Sequence, residues 1–186
     1  LLISTLAHAG GGQQLTISDA SILGISETSL DITMDSTAPT EGFVLAISVD
    51  ENLLSISDIA AAGSTLSASA ELVVPEVFPN GATLGVVLDA QSPFDGQTIG
   101  AGSGQLIATM SVTALIVADE DTDTPVTFLD GSLNSPTLDN ILVQGGLSLG
   151  AIDGLGLNGG TVTLQEAPPA TMYSMDASAP ADGNGT

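Results

Sequence analysis

Between Ser29 and Asp35 the side chains alternate without exception, with apolar Leu30, Ile32 and Met34 set between polar Asp31, Thr33 and Asp35. A period of two belongs to a strand with one dry face and one wet face, because successive side chains leave opposite sides of an extended backbone. The same period returns in Gly42 to Val49 through Phe43, Leu45, Ile47 and Val49, and in Gln105 to Ala114 through Leu106, Ala108, Met110 and Val112. No apolar run approaches the roughly 18 residues of a membrane-spanning helix, so insertion in a membrane is not expected.

Other short runs fill in the pattern. Leu15 to Ile22 reads as one strand, and the turn around Pro39 and Gly42 predicts that Ser29 to Asp35 pairs antiparallel with Gly42 to Val49. Ala70 to Phe78 and Ala82 to Asp89 flank Pro79-Asn80-Gly81, and Asn-Gly between apolar runs is a strong hairpin signal. Pro75 lies inside the first of these runs and cannot donate to a ladder, which assigns that run to a sheet edge. Glu51 to Gly63 carries Leu53, Leu54, Ile56 and Ile59 without clear alternation and is expected as a helical turn or a packed crossover loop. Val126 to Leu129, Asn140 to Gln144 and Gly160 to Leu164 supply three more strands, with loops over 131–140 and 145–160. About nine short strands punctuated by Gly and Pro predict an all-β antiparallel sandwich. It would occupy residues 13–165, behind an arm and hinge at 1–12 and ahead of a Pro/Ala/Ser-rich tail at 166–186 whose composition predicts disorder.

Charge narrows the function classes. The 186 residues include 22 Asp and Glu but no Lys or Arg, a formal net charge of −22. Nothing in such a chain can neutralise phosphates, which excludes nucleic acid as a partner, and an anionic membrane surface is excluded on the same ground. An acidic surface resists precipitation in salty or harsh media, and a chain without Lys or Arg offers trypsin-like proteases no cleavage site. Both readings point to an extracellular location.

The catalytic inventory is thin. With one histidine, His8, and no cysteine, lysine or arginine, a zinc centre, a Schiff base and a phosphate clamp all lack their essential groups, so the chain is not expected to be an enzyme. Asp119, Asp121 and Asp123 alternate as calcium-loop ligands do, with Asp130 at the twelfth position. The sixth position, where such a loop needs glycine, is Thr124. A solvated acidic turn is the stronger reading; no cofactor is expected unless calcium binds there. Asn184-Gly185-Thr186 is an N-glycosylation pattern, and the Ser- and Thr-rich loops and tail make surface glycans a candidate partner.

The N-terminal stretch is separate in character. Leu1 to Ala7 is apolar and uncharged, and Gly10, Gly11 and Gly12 follow it as a hinge. Ala7-His8-Ala9 has the small residues of a signal-peptidase site, although no basic segment precedes it. Left in water as a free edge the stretch would aggregate, so it is expected to dock as a strand on another copy of the chain.

Two kinds of resemblance bear on these features. GFVLAISVDENLLSISDI is similar to the early strands of cohesin-type domains. FPNGATLGVVLDAQSPFDGQTI and TPVTFLDGSLNSPTLDNILVQGG resemble segments of bacterial secreted proteins built on the same sandwich. Together they span Glu41 to Leu164 and imply an immunoglobulin-like, cohesin-like antiparallel β-sandwich. The whole chain also resembles pilus-like extracellular fibre protomers assembled by donor-strand exchange. That resemblance implies a donor strand of Leu1, Leu2, Ile3, Ser4, Thr5 and Leu6 entering another protomer's incomplete sandwich, with other copies of the chain as partners in a helical filament. The expected function is therefore a structural subunit of such a fibre. The alternative is a cohesin-like binding module of a secreted multidomain protein.

Overall fold

The structure, a computed structural model, describes residues 12–63, 66 and 70–168. The donor residues Leu1 to Leu6, hinge residues Gly10 and Gly11, His8 and Asn184 lie outside them. Among the described residues the chain forms thirteen strands. In order these are β1 (Gln14–Ile17), β2 (Ala20–Leu23), β3 (Glu27–Ser36), β4 (Gly42–Ser48), β5 (Leu54–Ala61), β6 (Leu72–Phe78) and β7 (Gly81–Val87). They continue with β8 (Gly102–Ala114), β9 (Thr122–Phe128), β10 (Ile141–Gln144), β11 (Leu147–Leu149), β12 (Gly156–Asn158) and β13 (Gly160–Gln165).

Two sheets make a sandwich, as the alternation predicts. One runs β12-β1-β3-β8-β5; the other joins β11, β10, β4, β9, β13 and β2, with the β6–β7 hairpin attached to β4. The inward side chains of β3 (Leu30, Ile32, Met34) and of β4 (Phe43, Leu45, Ile47) are buried between the sheets with Met110 and Val112 of β8. Most pairs are antiparallel, but β1 pairs with β12 and β2 with β13 in parallel.

Five local expectations need correction. Leu15 to Ile22 is not one strand: the chain crosses from one sheet to the other at Ser18 and Asp19, so β1 and β2 lie in opposite layers. Gly160 permits the crossing, since a Cβ there would sit 2.4 Å from the Ser18 carbonyl oxygen. Second, β3 and β4 do not pair, because β1 and β8 occupy both edges of β3 and the 37–41 connection carries the chain across the sandwich. Third, 54–61 is strand β5 rather than a helical turn or loop, and a register shift between Ile56 and Asp58 hides its period. Fourth, a shift opposite Ile32 and Thr33 turns Ile107 into the core of β8 and leaves Leu106 37% exposed. The 145–160 segment, expected as loop, contributes the short strands β11 and β12.

The hairpin is where the sequence places it. Phe78 pairs with Gly81 across Pro79 and Asn80, and β6, the strand that contains Pro75, pairs only with β7 among the described strands.

Strand β4 is the centre of the second sheet. Its residues Gly42–Ser48 pair with β7 along one edge. The other edge forks: β10 takes Gly42 to Val44, and β9 takes Ile47 and Ser48. At the gap, the Ala46 N–H donates to Asn140 Oδ1 (2.7 Å), and the Leu129 N–H donates to the Ala46 carbonyl (2.9 Å). Asp130 Oδ1 fixes Asn140 by accepting from its backbone N–H (2.8 Å) and from Nδ2 (2.7 Å).

Candidate functional site

Register places the outward residues of β6, β7, β4 and β10 in rows. One row is Leu72, Val87, Gly42 and Val143; the next is Val74, Gly85, Val44 and Ile141. A glycine in each row removes a side chain from the middle of an otherwise apolar face, which marks a place where another group can approach the backbone closely. The result is a groove of about 510 Å³ floored by Gly42 and Gly85 and walled by Val44, Leu72, Val74, Val87 and Val143.

The two glycines have different constraints. A Cβ on Gly42 would lie 2.5 Å from the Val86 carbonyl oxygen, so the sheet itself demands glycine there. A Cβ on Gly85 would meet nothing within 4 Å. Its missing side chain leaves open space in the groove rather than relieving a clash.

The walls are unusually wet for aliphatic groups: Leu72 is 47% exposed, Val74 53% and Val87 40%. On the opposite face of β6, Val73 and Val77 are exposed as well, because this edge strand projects beyond the core. Clustered exposed aliphatics with a polar rim are the usual mark of an interaction surface.

The rim is acidic. Glu41, Asp89 and Gln97 border the groove. Glu41 accepts from the Gly146 N–H (3.0 Å), Asp89 Oδ2 from the Gly96 N–H (2.8 Å), and Gln97 Nε2 donates to Glu71 Oε1 (3.4 Å). The remaining oxygens, Asp89 Oδ1 and Gln97 Oε1, are buried and have no hydrogen-bond donor among the described residues.

The residues singled out as calcium ligands are not drawn together. Asp119 is exposed in the turn before β9, Asp121 Oδ1 accepts from the Glu166 N–H (2.8 Å), and Asp123 Oδ1 accepts from the Thr163 hydroxyl (2.6 Å). Asp130 is occupied with Asn140. Among the described residues no group of three or more His, Asp or Glu side chains could hold a metal ion. Gly12 is the described member of the hinge, and it is exposed. In the sequence the groove is marked only by Gly42 and Gly85, each set inside an apolar strand pattern.

No protein-family model matches this chain, and no curated protein is similar to it in sequence. Its fold is nevertheless that of solved cohesin modules. A cohesin–dockerin complex from Clostridium thermocellum, with the OlpC cohesin, superimposes with a TM-score of 0.60 at 12% identity, over 87% of this chain and 99% of that one. The third cohesin of ScaC from Acetivibrio cellulolyticus, in complex with the ScaB dockerin, gives 0.57 at 18% identity, over 82% and 99%. A non-cellulosomal cohesin of the archaeon Archaeoglobus fulgidus gives 0.52 at 16% identity, over 81% and 90%.

These likenesses bear out the sandwich and its cohesin-like form. They overturn the fibre subunit and the expectation that other copies of the chain are its partners. The structures with this fold are cohesins, two of them held by a different protein, and none of the three is a fibre protomer. Within the sandwich, Leu15, Leu45, Leu84 and Met110 from four strands are fully buried. The surface available for docking is instead an outer face, and no helix among the described residues is long and apolar enough to cross a membrane.

Proposed function

We propose that this chain is a non-catalytic, cohesin-like binding module of a secreted protein, and that it holds a dockerin-like domain on the outer face of β6, β7, β4 and β10. The observation that carries this reading is the groove floored by Gly42 and Gly85, an exposed apolar surface on a fold shared with modules that are solved in complex with dockerins. Covering Leu72, Val74 and Val87 would contribute on the order of 1 kcal/mol each, since each is already half-buried. An acidic rim sets orientation and speeds encounter with a partner of opposite charge. The chain's lack of Lys, Arg and Cys agrees with a binding role rather than catalysis, and its acidity with work outside the cell.

Titration calorimetry against a panel of purified dockerin modules, the ScaB dockerin of Acetivibrio cellulolyticus among them, tests the reading. The expected result is a one-to-one complex with Kd below about 10 μM, the range of a specific if modest interface, and loss of that complex in Gly85→Leu. Absence of binding to every dockerin, or undiminished binding by Gly85→Leu, would overturn it.

A further inference from the structure

We propose that residues Met172 to Met175 of this chain dock on an apolar patch at one end of the sandwich, formed by Leu23 and Ile25 at the β2–β3 turn and by Leu115, Ile116 and Val117 after β8. These five side chains are between 38% and 67% exposed, and they are over a third of the fourteen large apolar side chains that the described residues leave in water. The backbone gathers them: the Ala114 N–H donates to the Ser26 carbonyl (3.1 Å), with Ile25 and Leu115 the adjoining residues, and Glu27 pairs with Thr113. Exposed aliphatics concentrated at one place mark a surface that another group covers. None of the five lines the groove, so the proposal stands whatever occupies the space over Gly42 and Gly85.

The path of the chain identifies the occupant. At the end of the described residues Gln165 pairs with Leu23, Glu166 bridges to Ala118, and the Ala167 N–H donates to the Ala118 carbonyl (3.2 Å). The backbone is thereby delivered between Leu23 and the residue that follows Val117, at the patch itself. Three residues separate Pro168 from Met172. At about 3.3 Å per extended residue, Met172 lies at most about 13 Å of chain beyond Pro168.

The chemistry of the segment matches the patch. In a tail rich in Pro, Ala and Ser, Met172, Tyr173 and Met175 are the large apolar side chains, and no charged residue falls between Ala167 and Met175. Methionine adapts to an irregular apolar surface, and tyrosine covers area with its ring while its hydroxyl stays wet. Other occupants fit less well. A second copy would bring another 22 acidic side chains toward a chain with no cation to receive them, whereas a short tether holds Met172 to Met175 at an effective concentration on the order of millimolar. The apolar arm at Leu1 to Leu6 leads into Gln14, which pairs with Asp35, at the far end of β3 from Glu27.

Tyr173 is the one tyrosine of a chain without tryptophan, so tyrosine fluorescence reports on this segment alone. Acrylamide quenching is measured on the full chain and on a synthetic peptide of residues 167–186. The bimolecular quenching constant of the full chain is expected to be less than half that of the peptide and independent of protein concentration. It should at least double in Ile25→Ser/Val117→Ser, and equally in Met172→Ser/Met175→Ser, which alters no described residue and so decides the matter even if the first variant folds poorly. Leu147→Ser removes another exposed aliphatic, on the edge strand β11, and should leave the protection intact. A constant equal to the peptide's in the unsubstituted chain would overturn the proposal. Protection that persists in both double variants would place Tyr173 elsewhere and overturn it as well. Protection lost on dilution would overturn it in favour of a second copy, and equal loss in Leu147→Ser in favour of unspecific contact.

Discussion

Asn140 Oδ1 accepts the backbone N–H of Ala46 at 2.7 Å and, with the Leu129 N–H on the Ala46 carbonyl, closes the fork where β10 and β9 part along β4. Asn140 is fully buried, and Asp130 holds it from behind through both its backbone N–H and its Nδ2. The side chain therefore stands in for a missing rung of the ladder beneath the groove. Replacement by leucine leaves the Ala46 N–H without its acceptor and takes one of two donors from Asp130, which keeps the backbone N–H of residue 140, and the expected loss is about 1–3 kcal/mol. Urea denaturation of Asn140→Leu checks this. Asn140→Asp keeps an acceptor for Ala46 but sets a second carboxylate against Asp130, so it should be less destabilising at pH 4 than at pH 7.

Gly42 and Gly85 share the groove floor and should respond oppositely to a methyl group. Gly42→Ala drives Cβ into the Val86 carbonyl, which lies 2.5 Å from the ideal position. Relieving that contact must shift strand β7, at an expected cost of about 1–3 kcal/mol. Gly85→Ala meets nothing within 4 Å and should be neutral or stabilising by up to about 1 kcal/mol, because glycine is the costlier residue in a strand interior. Thermal melts of the two variants side by side make the comparison.

Gln13 and Gln144 bind each other through their side-chain amides, with Gln13 Nε2 donating to Gln144 Oε1 at 2.9 Å and Gln144 Nε2 donating back at 3.3 Å. Gln144 Nε2 also faces Thr40 Oγ1 (3.1 Å), Ser36 Oγ (3.3 Å) and the Ala38 carbonyl (3.3 Å), while Gln13 reaches Thr37 through both amide atoms. The cluster ties the start of β1 in one sheet to the end of β10 in the other. Gln144→Ala should cost about 1–3 kcal/mol, since it strips several buried groups of their donor. The more exposed Gln13→Ala should cost less. A double-mutant cycle is expected to show a coupling of about 0.5 kcal/mol or more, the signature of residues in one network.

What could be read from the residues follows from where regularity is local. Strand β3 keeps an unbroken period of two, β4 carries Phe43, Leu45 and Ile47 at the same spacing, and Pro79-Asn80-Gly81 announces its hairpin, so these elements and the sandwich class are legible. Strand β5 was hidden by the shift between Ile56 and Asp58, and β8 was read on the wrong face at Leu106 because Ile107 bulges. The division of Leu15 to Ile22 between two sheets depends on contacts with Gly160, a residue far along the chain. The groove is still less local. Gly42 and Gly85 become neighbours on one face only through the register of β4 with β7, and Asp89 and Gln97 reach its rim only once the following loop has folded. The apolar arm at Leu1 to Leu6 drew the functional reading because its pattern is contiguous, whereas a surface assembled from four strands leaves no contiguous trace.

Asp50 gives the clearest expected pH response. In the turn between β4 and β5 its Oδ1 accepts from the Asn52 backbone N–H and from Asn52 Nδ2, each at 2.9 Å. Both bonds favour the ionised form, the backbone donor most, and hold the Asp50 carboxyl below its ordinary value. The unfolded chain therefore takes up this proton at higher pH than the folded one. The stabilisation is fully present above the ordinary aspartate pKa and is lost as pH falls through the lower, folded value. Carboxyl ¹³C shifts should place the Asp50 midpoint below that of an aspartate in an unstructured peptide. Asn52→Ala should bring it only part of the way back, because the backbone N–H, the larger contributor, remains. The stability difference between Asn52→Ala and the unsubstituted protein should then be present at pH 7 and shrink toward pH 2. A midpoint at the peptide value, or a full return in Asn52→Ala, would show that the backbone bond does not govern this turn.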